Sequence, residues 1–227
     1  MQKLVYLLFI SVLFASCHYT ASPKEKELMV TYKVTVLRSD LAAFATMALP
    51  DEIFFYHSDS KSLVDIQTII GNIRIRQIGD SKSGNNAIVL DYFNKRIACQ
   101  CKEPSFYFLP FFNKVKVTDL EGDTVIQNYN CKYKNIVFEE NSTANYTLLY
   151  SPLEGCNLIN QCTPYQDIAG LIMRFEMHSP KLDLQLVGNS FSNEAIPDSL
   201  FEIPSGYDKV SPATMRSILL SLFGSEI

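Results

Sequence analysis

Three consecutive residues, His57-Ser58-Asp59, carry the side-chain types of a hydrolytic triad. In such a triad an imidazole takes the serine proton while a carboxylate orients the ring, so all three must converge on one substrate atom. Neighbours on an extended chain point to alternate faces and do not converge. No G-x-S-x-G elbow offers a nucleophile elsewhere. The other histidines are His18, near the start, and His178, beside Ser179-Pro180, where an exposed turn residue is expected. Asp119-Leu120-Glu121-Gly122-Asp123 has part of the spacing of a calcium loop, but it is short and lacks the terminal chelating glutamate. A solvated hairpin turn is expected there instead. No catalytic residue, metal or cofactor is expected.

The cysteines carry a different chemistry. Leu4 to Phe14 form an almost unbroken apolar run after Lys3, and Ala15-Ser16-Cys17 closes it. A run this short, with one cation before it and small residues after it, reads as a cleaved export signal and not as a membrane span. A cysteine directly after two small residues is the acceptor that lipoprotein processing requires, which makes Cys17 the expected lipidation site. Residues 1–16 are then the signal peptide. Each buried CH₂ adds about 0.8 kcal/mol of membrane affinity, so three acyl chains on Cys17 would anchor the chain stably.

Cys99, Cys101, Cys131, Cys156 and Cys162 follow. In an exported chain such thiols favour disulfides over metal. Cys156 and Cys162 could close a tight loop. Cys99 and Cys101 share one face of an expected strand, so a bridge between them would be strained, and one of them pairing with Cys131 is the better expectation. C-x-C and C-x₅-C are not the usual zinc spacings.

The elements that must position these groups are mostly strands. Val30, Tyr32, Val34 and Val36 alternate with Thr31, Lys33 and Thr35, the period of a half-buried strand. Similar runs recur at 52–57, 63–70, 73–78, 87–92, 96–102, 106–108, 114–118, 124–129, 132–138, 146–150, 171–177 and 181–187. Leu41 to Leu49, with Phe44 and Met47, predicts a helical turn or short N-terminal helix stopped by Pro50. Ser211 is a natural N-cap, Pro212 suits the first helical position, and Met215, Ile218, Leu219, Leu222 and Phe223 recur at helical spacing. That stripe predicts a C-terminal amphipathic helix packed on the sheet. Phe106 to Phe112 is the densest apolar cluster after the signal and places aromatics on both faces of a strand, which would mark a binding surface if exposed. Residues 17–27 read as a flexible tether and 28–227 as a single β-rich domain.

Ile168-Ala169-Gly170-Leu171-Ile172 resembles the Leu-Pro-Gly-Leu-Ile signature of the Bacteroidota envelope family called GLPGLI, with Ala169 in place of the proline. Thr124 to Lys132 resembles that group's I-x-x-Tyr-x-Cys strand, and Pro197 to Tyr207 resembles its closing F-x-I-P-x-G-Y segment. Ile88-Val89-Leu90-Asp91 fits an earlier hairpin. The resemblance supplies no catalytic residue. It implies a mainly β, α+β fold: a strongly curved antiparallel half-barrel, similar to the LolA/LolB-like lipoprotein carriers, with helices across its concave side. Short strands bounded by turns, with a helix at each end, suit such an incomplete barrel.

A half-barrel only partly filled by helices leaves an apolar cavity, for which Phe44, Met47, Phe106, Phe108, Phe111, Phe112, Ile218 and Leu222 are the candidate lining. The expected function is a non-enzymatic envelope lipoprotein on the periplasmic face of the outer membrane, binding a hydrophobic ligand or lipid. The alternative is a scaffolding component with an envelope protein as partner. The net charge of −4, without any basic stripe, excludes nucleic acid.

Overall fold

A computed structural model describes residues 27–47, 49–68, 73–102, 114–139, 145–153, 160, 163–165, 167–179 and 181–222. The strands among these residues are β1 (Glu27–Ser39), β2 (Glu52–Ser58), β3 (Lys61–Gln67), β4 (Arg74–Asp80), β5 (Asn85–Tyr92), β6 (Lys95–Cys101), β7 (Val115–Ile126), β8 (Tyr129–Phe138), β9 (Asn145–Ser151), β10 (Leu171–His178), β11 (Leu182–Ser192) and β12 (Asp208–Lys209). They form one open sheet in the order β12-β6-β5-β4-β3-β2-β1-β11-β10-β9-β8-β7. Two antiparallel meanders, β1 to β6 and β7 to β11, meet at the β1–β11 pairing, where Val34 lies opposite Leu186 and Arg38 opposite Asp183. Only β12 runs parallel to its neighbour.

Alternation sorts each strand into two faces. On the first face the register sets Tyr32, Ile53, Ile66, Ile75, Leu90 and Ile97 side by side across six strands. Cross-strand apolar pairs of this kind contribute roughly 0.2–1 kcal/mol each. Helix α2 (Pro212–Leu222) buries Met215 and Leu219 against Ile75, Ile88, Leu90, Ile97 and Cys99 at the β4–β6 end of this face. Tyr165 and Ile168, from the loop before β10, bury themselves beside Leu28, Val30, Phe55 and Phe175 toward the middle. On the second face, Leu63, Ile78, Ala87, Val89 and Ala98 lie under Phe201, Leu200, Ile203 and Tyr207. The chain after β11 therefore crosses the second face, adds β12 to the edge of β6, and returns as α2 on the first face.

Several expectations are corrected. Residues 119–123 are not a hairpin turn. They lie inside β7, which carries a bulge between Leu120 and Asp123, and the turn comes at Gln127 and Asn128, with φ of 48° and 69°. The expected strands at 114–118 and 124–129 are thus one long strand, because the bulge absorbs the polar run without ending the ladder. The helical turn or short helix expected at Leu41–Leu49 is no more than a single turn, α1 (Ala43–Met47), with Met47 66% exposed. No disulfide joins β6 to β8: Cys99 and Cys131 are free thiols, and the two strands stand near opposite ends of the sheet. The signal, Cys17, most of the tether, the aromatic run 106–112, Cys156, Cys162 and Phe223 lie outside the described residues.

The segment resembling the family signature closes the core through its backbone. Gly170 has φ of +121°, and a Cβ there would stand 2.2 Å from the Ser151 carbonyl oxygen. Asn160 Nδ2 donates to the carbonyls of Ile168 and Gly170 at 2.7 and 2.8 Å, fixing both sides of that turn. Gly170→Ala should cost about 3 kcal/mol or more, since strain and a backbone clash combine. For a domain of this size that lowers the melting temperature by on the order of 10 °C in a thermal scan. An unchanged melting temperature would refute this account of the turn.

Candidate functional site

His57, Ser58 and Asp59 fall where strand alternation places them. His57 is buried on the first face, Ser58 turns to the other, and Asp59 sits in the β2–β3 turn with φ of 51°. Burial lowers the His57 pKa, so the ring stays neutral. Among the described residues its Nδ1 has no hydrogen-bond partner, and neither does Nε2 of Gln77, which is also buried on that face. Burial raises the pKa of the Cys99 and Cys131 thiols, which makes both poor nucleophiles. Ile218 and Leu222 pack onto the α2 cluster and so belong to the core at that end. Among the described residues no group of three His, Cys, Asp or Glu side chains could hold a metal ion.

A linked set of charged groups lies at the far end of the β1–β11 seam, and sequence reasoning missed it. His178, expected as an exposed turn residue, ends β10 with its side chain only 23% exposed. Its Nε2 lies 2.9 Å from Glu176 Oε2 and its Nδ1 3.2 Å from Asp183 Oδ1. Arg38 Nε donates to the other Asp183 oxygen at 2.7 Å, and its Nη2 donates to the Ser179 carbonyl at 2.7 Å. Gln185 Nε2 donates to Glu176 at 3.2 Å, and the Phe138 ring stands 4.7 Å from the imidazole. The Glu176 hydrogen bond, aided by Asp183, raises the His178 pKa. Both ring nitrogens face carboxylates, which favours the protonated ring and leaves no free nitrogen to offer a substrate. The legible signal was Glu176-x-His178 on one strand face with Asp183 across the hairpin.

A second polar set fastens the closing segment. Tyr207 OH donates to Asp91, with oxygens at 2.7 and 2.8 Å, and accepts from Arg76 Nη2 at 3.1 Å. Arg76 is buried, and its Nε has no hydrogen-bond partner among the described residues. Asp91 and Tyr207 belong to two of the family-like segments, which thus meet in space.

Two clefts are lined by other residues. One, of about 380 Å³, lies between β3–β6 and residues 201–203 and is lined by Lys61, Asp80, Ser83, Asn85, Gln100 and Glu202 over Ile78, Ala87 and Phe201. The other, broad and shallow at about 650 Å³, is lined by Lys33, Asp51, Glu52, Phe54, Gln67, Thr68 and Asn189. Both are polar at the rim.

No family model matches this chain, and no curated protein matches it. Two solved structures of PNGF-II, in space groups C2 and P21, are similar in fold. For the first the TM-score is 0.52 at 12% identity, covering 86% of this chain and 33% of that one. For the second the TM-score is 0.53 at 10% identity, covering 87% and 34%. The chain thus spans about a third of PNGF-II, and identity this low speaks for the fold alone.

The two histidines titrate in opposite senses. The raised pKa of His178 means its stabilisation is complete below the ordinary histidine value of about 6.5 and is lost as pH rises through the higher folded value. His57 has a lowered pKa, so it weakens the fold as pH falls below about 6.5. The melting-temperature gap between wild type and His178→Gln should be widest below about pH 6 and narrow at alkaline pH. A gap independent of pH would contradict the clamp. Tyr207→Phe should cost about 1–3 kcal/mol in urea unfolding, because it leaves Asp91 and Arg76 short of a partner.

Proposed function

We propose that this chain is a non-enzymatic interaction module of the cell envelope, anchored through acylated Cys17 and engaging an envelope protein. One observation carries the reading. The described part of the first face is closed by the chain's own Tyr165, Ile168, Met215 and Leu219, whereas both described clefts are rimmed by polar groups. A filled interior with polar outer clefts suits recognition of a partner surface better than storage of an acyl chain. The likeness to a third of PNGF-II is consistent with a fold that longer proteins carry as one part. No described helix is long and apolar enough to cross a membrane, so a lipid on Cys17 is the attachment this reading requires.

The second reading, a half-barrel carrier of a hydrophobic ligand, keeps two supports. One is the aromatic run 106–112. The other is reach: β6 and β7 are consecutive in the chain yet ten positions apart in the sheet. In a flat sheet that is about 48 Å at ~4.8 Å per strand. The chain from Cys101 to Val115 spans at most about 50 Å when fully extended. Curvature shortens this chord, so a wrapped sheet relieves a link that would otherwise be taut. The resemblance to GLPGLI-type lipoproteins accompanies both readings, its quoted segments serving here as fasteners of the fold.

Photo-crosslinking in intact cells should recover a discrete envelope protein, and Cys17→Ala should move the chain from the membrane to the soluble fraction. Recovery of no protein neighbour, together with uptake of a fluorescent fatty acid by the purified protein, would replace the module reading with the carrier. An unchanged membrane fraction for Cys17→Ala would remove the anchor.

A further inference from the structure

The outer edge of β6 is only half used. β12 runs along it with Asp208 beside Ile97 and Lys209 beside Ala98, and the Val210 N–H donates to the Ala98 carbonyl at 2.9 Å. In a parallel ladder the next bonds on this edge run from the Gln100 N–H to the Val210 carbonyl, which is not formed, and from residue 212 to the Gln100 carbonyl. Residue 212 is a proline and has no N–H to donate. It also opens α2, which leaves the edge to pack on the first face. By strand alternation the Gln100 N–H and C=O point outward like those of Ala98. Neither has a strand partner among the described residues, and the carbonyl has only a thiol contact from Cys99 at 3.8 Å.

Gln100 also lines the cleft of about 380 Å³, whose floor is the buried trio Ile78, Ala87 and Phe201. The charged groups around it are largely committed. Asp80 accepts from Ser60 and Ser83 at 2.8 Å each and from the Lys82 N–H at 3.0 Å, and Lys61 pairs with Asp198 at 2.8 Å. The side-chain amides of Asn85 and Gln100 are exposed and make no hydrogen bond to other described residues. The free chemistry is therefore neutral amides that donate and accept, the Glu202 carboxylate, an open strand edge, and an apolar floor.

We infer that this edge and cleft form a docking site for an extended polypeptide segment of the partner. The segment adds to β6 through the Gln100 backbone, continuing the edge that β12 begins, and places one apolar side chain over Ile78, Ala87 and Phe201. A small solute would use the cleft and leave the edge idle, whereas a peptide strand uses both. The inference rests on the interaction-module reading and names its surface.

Random dodecapeptides displayed on phage are selected on the purified full-length protein, and the most enriched is synthesised with a fluorescent label. Enriched sequences should carry alternating apolar residues. Affinity should fall about fivefold or more for Gln100→Pro, which removes the edge N–H, and for Asn85→Trp, which crowds the rim from an exposed position. If Gln100→Pro melts early, Asn85→Trp decides. No enrichment above bare support, or a peptide that binds both variants as tightly as wild type, overturns the site. Cross-links to an envelope protein in cells, in the absence of peptide enrichment, would discard this surface while leaving the module reading intact.

Discussion

The β1–β11 seam is the pairing on which the rest of the molecule depends. Each meander is built from near neighbours in the chain, but β1 and β11 are joined across nearly the whole described sequence. Loop-closure entropy opposes such a contact, so it needs strong local fastening. That fastening stands along the seam. Arg38 grips Asp183 directly opposite it, while the Tyr32 hydroxyl donates over β11 to the Ile172 carbonyl of β10. Tyr32 lies opposite Gly188, where any Cβ would meet the Phe191 ring at 2.7 Å.

A sheet this wide exposes two faces, and the chain covers them with few helical residues. The segment after β11 passes over one face, caps half of the β6 edge and returns on the other. The same stretch thus fills two clusters and shields one edge. The opposite edge, β7, has no outer neighbour among the described residues. It carries exposed Asp119, Glu121 and Asp123 and a bulge, devices that discourage pairing between identical edges. The two ends of the sheet therefore differ: β7 is guarded by charge, and among the described residues β6 is open for a short stretch where Pro212 starts α2.

Some of this was legible beforehand and some was not. Val30, Tyr32 and Val34 announced β1 by their period, and Ser211-Pro212 announced α2 together with its buried stripe. The break expected at 119–123 failed because a bulge can carry polar residues through a strand without a turn. The pairing of Cys99 or Cys101 with Cys131 failed because spacing along a chain says nothing about which strands become neighbours. His178 looked like a turn residue until Asp183, five residues later, arrived across the hairpin to hold its second nitrogen.

Local composition alone announced most of the element types, because period and capping are properties of short windows. Strand order, the meeting of Asp91 with Tyr207, the clamp on His178 and the half-open β6 edge were decided only by tertiary structure. Each requires residues distant in sequence to come within hydrogen-bonding range, and nothing in a linear pattern encodes that distance.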